Sequence, residues 1–310
     1  MAQRYLGGII TANPVEPSGN DADASASGTW TLEEALSFHK AGDWPDYVNQ
    51  LPFAAQAVFF LGSNPTSGNP IEYYNIATAG NSKDFGDSVQ RHSSPTGAAS
   101  NATRLLIAGN SSTGPGDEEN ISYITFATKG DATDFGNLSL GRSSCAGGAG
   151  NGRGIFAGGE TASGRNDTID YKAIASTGNF SDFGNLSGNN MAQISCGSTT
   201  RLCIGGGTPS GSNYSNEIQY ITVSSTSNTT DFGDTTQSRY LAGGATSPTR
   251  ATFAGGFAYG RDGGGTAIND SVNTIDAVNI ASVGNATDFG DLSIITNAGG
   301  GGSNSHGGIA

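Results

Sequence analysis

The tripeptide Asp-Phe-Gly occurs five times, at Asp84-Phe85-Gly86, Asp134-Phe135-Gly136, Asp182-Phe183-Gly184, Asp231-Phe232-Gly233 and Asp288-Phe289-Gly290. Once, beside a glycine-rich loop, a lysine and a His-Arg-Asp loop, it would hold the magnesium of phosphoryl transfer. Those companions are missing, and a catalytic aspartate is needed only once. The copies follow one another after 50, 48, 49 and 57 residues. Such a period is architecture. Phe85, Phe135, Phe183, Phe232 and Phe289 are then expected as wedges between repeated units, each Gly at a tight turn and each Asp as an acceptor of backbone N–H groups there.

Arginine is the next residue type in register. Arg104, Arg153, Arg201 and Arg250 each open a short apolar segment, and Arg91, Arg142 and Arg239 each open another. A ring of guanidinium groups could take an anionic sugar or a phosphate. Alternatively they pair with the recurring aspartates and with backbone carbonyls of neighbouring units. The second use is favoured, because a feature repeated in every unit serves packing. His39, His92 and His306 share no metal-ligand spacing. Cys145, Cys196 and Cys203 form neither a disulfide framework nor a metal set and read as small buried fillers. Cys196 and Cys203 fall on adjacent strands of one hairpin, which is compatible with a bond and does not require one. No catalytic residue, metal or cofactor is expected, and the chain reads as no enzyme.

The elements that position these residues emerge from the repeat. Thirteen residues before each Asp stands an isoleucine, Ile71, Ile121, Ile169, Ile218 or Ile275. An invariant interval between divergent copies marks a rigid hairpin, since a loop would tolerate insertion. Between them lie Gly80-Asn81, Gly130-Asp131, Gly178-Asn179, Ser227-Asn228 and Gly284-Asn285, turn formers that supply positive φ. In "ISYITF", Ile121 and Tyr123 face one way, Ile124 and Phe126 the other, so this strand is buried on both faces. Upstream come "RLLIAGN" and its counterparts, and before the later copies Ala/Gly/Ser-rich strands such as "RSSCAGGAG".

Four strands in about 49 residues, repeated, predict an all-β fold: a β-propeller over residues 56–310. The small residues suit the strand nearest the axis and the phenylalanines the outermost strand. Copy one begins at its second strand, and "IITNAGGGGSNSHGGIA" at the end resembles a first strand, so the C-terminal segment is expected to complete blade one. That gives five blades; the final "HGGIA" leaves six open.

Composition narrows the function. A net charge of −13 argues against binding nucleic acid through its phosphates. No run has the length of a membrane span, and the first residues lack the features of a signal peptide. Asn-x-Ser/Thr sequons read as turn chemistry. The interval from Arg250 to Ile275 is 25 residues against 16 or 17 elsewhere. A long loop over Ala258–Asn273 is therefore expected, with Tyr259, Arg261 and Asp262 as candidate contacts and a neutral insertion as the alternative.

Residues 1–50 do not repeat. "YLGGIITANPVEPSGNDADASASG" is extended and Pro/Gly-punctuated. A short helix follows, with Thr31 and Glu34 as a capping box and Gly42 as its stop. About nine residues of helix are marginal alone, so the segment must dock, either on the propeller or on a partner. Trp30, Leu32, Leu36, Phe38 and Trp44 are its docking candidates.

Two resemblances follow. Strands that open Arg-Ser, end Gly-Gly and carry a Tyr and then an aromatic resemble the kelch repeat, with Phe where kelch units usually have Trp. The ligand set of a kelch-type copper oxidase and the Ser-x-Asp-x-Gly-x-Thr-Trp box of sialidases are missing. The stretch "GGIITANPVEP…ASGTWTLEEALSFHKAGDWP" resembles the N-terminal segment of tailed-bacteriophage virion proteins, and the Asp-Phe-Gly-Asp/Asn repeats are similar to structural proteins of marine and cyanobacterial phages. This resemblance implies a virion component, assembled in the host cytoplasm. It would be held by its N-terminal arm to other virion proteins in multiple copies, display the propeller on tail, fibre or head, and contact host surface glycan. The alternatives are a free-standing glycan-binding propeller and, least favoured, a propeller hydrolase or oxidase.

Overall fold

The computed structural model describes Glu33 and residues 56–60, 69–75, 81–90, 97–109, 119–209, 213–261 and 267–296. The chain divides into two compact units, residues 1–57 with 74–81, and residues 58–73 with 82–310. The blades belong to the second; β1 and β2 each lend two residues to the first. Of residues 1–50 only Glu33 is described, and it is helical. The docking candidates Trp30, Leu32, Leu36, Phe38 and Trp44 lie outside the described residues.

Five small antiparallel sheets form a five-bladed β-propeller. Blade one holds β1 (Gln56–Phe60), β2 (Pro70–Asn75) and β3 (Lys83–Asp87). Blade two holds β4 (Gly97–Ser100), β5 (Arg104–Ala108), β6 (Asn120–Thr125) and β7 (Thr128–Asn137). Blade three holds β8 (Ala146–Gly150), β9 (Arg153–Ala157), the short β10 (Glu160–Thr161), β11 (Gly164–Ala173) and β12 (Ser181–Asn190). Blade four holds β13 (Ile194–Gly197), β14 (Arg201–Gly205), β15 (Glu217–Thr222) and β16 (Thr230–Asp234). Blade five holds β17 (Arg239–Tyr240), β18 (Gly243–Thr246), β19 (Arg250–Ala254), β20 (Phe257–Arg261), β21 (Ala267–Asn279) and β22 (Thr287–Thr296).

The inner strands β4, β8, β13 and β18 are built from small residues because they crowd one another. A Cβ on Gly147 would lie 2.3 Å from the Ala98 nitrogen, and one on Gly244 2.5 Å from Cys196 Sγ. Contacts this short exclude a larger side chain. Blade one has three described strands and no inner one among them. Of the segment 294–310 expected to complete it, Ile294, Ile295 and Thr296 instead end β22 of blade five, and residues 297–310 lie outside the described residues. The chain nevertheless leaves blade five as it leaves blades three and four. The carbonyl of Thr296 accepts the Gly256 N–H at 2.9 Å, as Asn190 accepts from Gly159 and Arg239 from Gly207, both at 2.8 Å.

The core is a series of layers between blades. Phe85 packs with Ile124 and Ala132 of blade two, and Phe135 with Phe156 and Phe180 of blade three. Phe183 packs with Leu202 and Ile221 of blade four, and Phe232 with Phe253 and Ile280 of blade five. Each of these four rings is 2–3 % exposed, a burial worth roughly 1.5–3 kcal/mol apiece. Ile121 and Ile124 enter different layers, as expected of a strand buried on both faces.

Three expectations are corrected. The glycine of Asp-Phe-Gly does not end the fourth strand at a tight turn; it sits inside the strand, at a β-bulge. Ile121 pairs with Gly136 and Ser122 with Asp134, so Phe135 is the extra residue, and the register slips likewise in the other blades. The bulge is what re-aims the phenylalanine into the layer. Secondly, Arg142 and Arg239 do not open inner strands. Ser144 and Leu241, at φ 52° and 54°, kink the chain between each arginine and the strand that follows. Thirdly, most of the extra residues of blade five form a β-hairpin, β20 with β21, instead of a loop. The segments on either side of residues 262–266 pair, which extends the third strand upstream to 13 residues.

Candidate functional site

The repeated polar residues form seams between blades. In every copy the Asp side chain accepts the N–H of the glycine two residues later, at 3.0–3.1 Å. That glycine has φ between 136° and 148°, a region open to glycine and costly for other residues. In the first four copies a Cβ there would also lie 2.3–2.6 Å from backbone of the next blade's turn. The turn docks on the outer strand: Gly178 donates to the Phe135 carbonyl at 2.6 Å, and Phe180 to that of Asn137 at 2.8 Å. Asn179 Oδ1 in return accepts the Asn137 N–H at 3.2 Å. Asp131, Asn228 and Asn285 play the same part at their seams.

The second-strand arginines complete each seam. The guanidinium of Arg201 lies 4.7 Å from the centre of the Tyr220 ring and donates to the Ile280 and Ala281 carbonyls of blade five, both at 3.0 Å. Arg104 does the same over Tyr123 to Ile174 and Ala175, and Arg153 over Tyr171 to Val223. The Arg142 and Arg239 side chains are wholly buried and paired with Asp170 and Asp276. Burial lowers the pKa of Arg239, and the Asp276 carboxylate opposes that shift. Arg91 lies outside the described residues. Arg104, Arg153 and Arg201 are thus staples between blades, whereas Arg142 and Arg239 pair with aspartates and carbonyls of their own blades, so both partners named in the packing alternative occur.

Blade five departs from this pattern. Tyr220 and its counterparts have Ala277 at their place, and Arg250 lies over Phe289 itself, 5.3 Å from its centroid. Phe289 is 57 % exposed. So exposed a ring is not the buried wedge expected of it, and among the described residues nothing lies within 4 Å of where a Cβ on Gly290 would be.

A second departure lies where the chain enters an inner strand. Among the described residues three equivalent antiparallel pairs occur there: Ser143 with Glu160, Met191 with Thr208, and Tyr240 with Phe257. The fold therefore accepts Ser/Glu or Met/Thr at this place, and blade five fills it with rings. Tyr214, from the connection between β14 and β15, stacks on Tyr240 at 4.5 Å and 21°. Phe257 meets Tyr214 at 6.0 Å and Tyr240 at 5.9 Å, edge to face. All three rings are half-buried. Of the expected contact residues, Tyr259 stands two residues beyond Phe257 in β20, paired with Asn269, and Arg261 ends that strand, paired with Ala267. Asp262 lies outside the described residues. Sequence reasoning missed Tyr214, Tyr240 and Phe257. The signal for the last two was the residue after the first-strand arginine and the one after Gly-Gly, read across copies.

Among the described residues no cluster of three or more His, Cys, Asp or Glu is arranged to hold a metal, and no helix is long and apolar enough to cross a membrane. The three cysteines are free and buried, with Cys196 directly opposite Cys203. Burial pushes all three thiols up, Cys203 to about 12. No family model matches the chain, and no curated protein matches it in sequence.

Proposed function

We propose that this protein is a structural component of a tailed-bacteriophage particle. In this reading it is a kelch-like propeller displayed on the tail, fibre or head and held to other virion proteins by residues 1–50. The particle is built in the host cytoplasm and carries several copies. The propeller binds and does not catalyse. The observation that carries the reading is the use of the repeated arginines and phenylalanines: Arg104, Arg153 and Arg201, with Phe85, Phe135, Phe183 and Phe232, secure one blade to the next, as at Arg201 with Ile280 and Ala281. That arrangement suits a rigid displayed module. The Gly-Gly, Trp-Thr-Leu and Trp-Pro pattern of the first 50 residues supplies the attachment part.

The test compares particles assembled with the full-length protein and with a full-length Trp30→Ala/Trp44→Ala variant. Purified particles are expected to contain the first and to lose the second, while both proteins give the same circular dichroism. Equal incorporation, or absence of the protein from particles, overturns the reading. A free-standing glycan-binding propeller is the second reading, favoured by the ring cluster of Tyr214, Tyr240 and Phe257.

A further inference from the structure

We infer that Tyr214, Tyr240 and Phe257 form a stacking platform for an uncharged pyranose on the propeller face that carries the connections between second and third strands. This refines the host-contact part of the reading above and does not depend on the particle part.

Comparison between blades carries the inference. At the same pair of positions blade three has Ser143 and Glu160, and blade four has Met191 and Thr208. Both blades form with these residues, so rings are not a requirement of the fold at this place. Blade five nevertheless puts Tyr240 opposite Phe257, and the connection of blade four adds Tyr214, 4.5 Å from Tyr240. Rings brought together from two blades, at a position the fold fills with polar or aliphatic residues elsewhere, are a feature specific to one place on the ring. The hairpin of β20 and β21 begins at Phe257 and is longer than its blade-three counterpart, where the two-residue β10 begins at Glu160.

The chemistry selects a sugar. An aromatic face offers electron density to the C–H groups of a pyranose, and a tyrosine adds a hydroxyl that can both donate and accept. The rings are half-buried and therefore preorganised, with the edge of Phe257 holding the tyrosine pair in orientation. The protein's charge of −13 works against a polyanion, and Asp270, paired with Ala258 one residue beyond Phe257, is exposed beside the platform. An uncharged hexopyranose fits these conditions, and a sialylated or sulfated glycan does not.

Saturation-transfer NMR on the isolated full-length protein tests it, with maltose, cellobiose, lactose and chitobiose as neutral probes and sialyllactose as the acidic one. At least one neutral disaccharide is expected to take saturation from aromatic protons, with weak, millimolar-range affinity. The Tyr240→Met/Phe257→Thr variant copies the pair of blade four, so it keeps the fold and is expected to lose the signal at least tenfold. Tyr240→Phe keeps the ring and is expected to retain most of it. Silence with all four neutral sugars overturns the proposal. So does binding that survives the double variant, or binding of sialyllactose alone. None of those results bears on incorporation into particles, so the two readings fail separately.

Discussion

Arg142 and Asp170 form an ion pair at 2.9 Å with both side chains wholly buried, and blade four places Asn190 and Gln219 at the same two positions. The carboxylate also accepts the Ser139 N–H at 3.1 Å and hydroxyl at 2.6 Å, from the link between blades two and three. In blade four Gln219 Oε1 accepts the Ser187 N–H at 2.7 Å, and in blade five Asp276 accepts from Thr236 at 3.0 Å. The acceptor is constant and the charge is not. Blade four does without an ion pair: Gln219 holds the link and Asn190 Nδ2 separately donates to the Gly206 carbonyl at 3.0 Å.

Removing one partner strands a buried charge. Arg142→Ala is expected to cost about 3–5 kcal/mol, read by chemical denaturation. The double variant Arg142→Asn/Asp170→Gln, which installs the two neutral residues of blade four, should recover most of that loss. If the double variant is as unstable as Arg142→Ala, the charged and neutral residues are not equivalent.

The seam glycines differ in what surrounds them. A Cβ on Gly184 would lie 2.3 Å from the Ser227 carbonyl oxygen, whereas one on Gly290 meets nothing within 4 Å; their φ values are 148° and 143°. Gly290→Ala should cost only the backbone strain, roughly 1–2 kcal/mol. Gly184→Ala should cost clearly more, since blades three and four would have to part. Equal thermal midpoints for the two variants would contradict the close approach.

Phe232 and Phe289 are the same residue of the repeat in different surroundings. Phe232→Ala empties an inter-blade layer and is expected to cost about 3–5 kcal/mol. Phe289→Ala, at a ring 57 % exposed, should stay below about 1 kcal/mol. A large loss at Phe289 would show that this ring is covered in solution.

Arg201 tests the staple. Arg201→Lys keeps the charge but not the forked donor that reaches two carbonyls or the flat group over Tyr220. A loss of about 1–2 kcal/mol is expected. A double-mutant cycle with Tyr220→Leu should give a coupling of about 0.5–1 kcal/mol. Zero coupling would remove the stacking from the account.

The thiols predict a pH dependence. Each has a pKa raised by burial from an ordinary value near 9.0, Cys203 to about 12. The unfolded chain ionises first as pH rises, so the thiols' contribution is complete below pH 9 and is lost progressively between about 9 and 12. The thermal midpoint of the wild type should fall from pH 8.5 to 10.5 more steeply than that of a Cys196→Ala/Cys203→Ala variant. Ellman's reagent at pH 8 should find no reactive thiol until the protein is unfolded.

The sequence alone determined the repeat, its length, its four-stranded unit and the all-β propeller architecture, with five blades expected and six left open; the structure has five. A constant Ile-to-Asp interval, glycines at fixed offsets and small inner strands are local, periodic signals, and each copy restates them. The structural use of the arginines was legible for the same reason. What only the tertiary structure decided depends on contacts between copies. The bulge at Asp-Phe-Gly recurs in every copy, and in the first four the next blade's turn lies against its glycine, at Gly86, Gly136, Gly184 and Gly233. The exposure of Phe289 depends on what lies beside blade five, and the tripeptide is identical in all five copies. The cluster of Tyr214, Tyr240 and Phe257 joins two connections that no repeat relates. Tyr240 meets Phe257 by the same pairing that joins Ser143 to Glu160 and Met191 to Thr208, and the stacking of Tyr214 from the blade-four connection on that pair is what a one-dimensional period does not record.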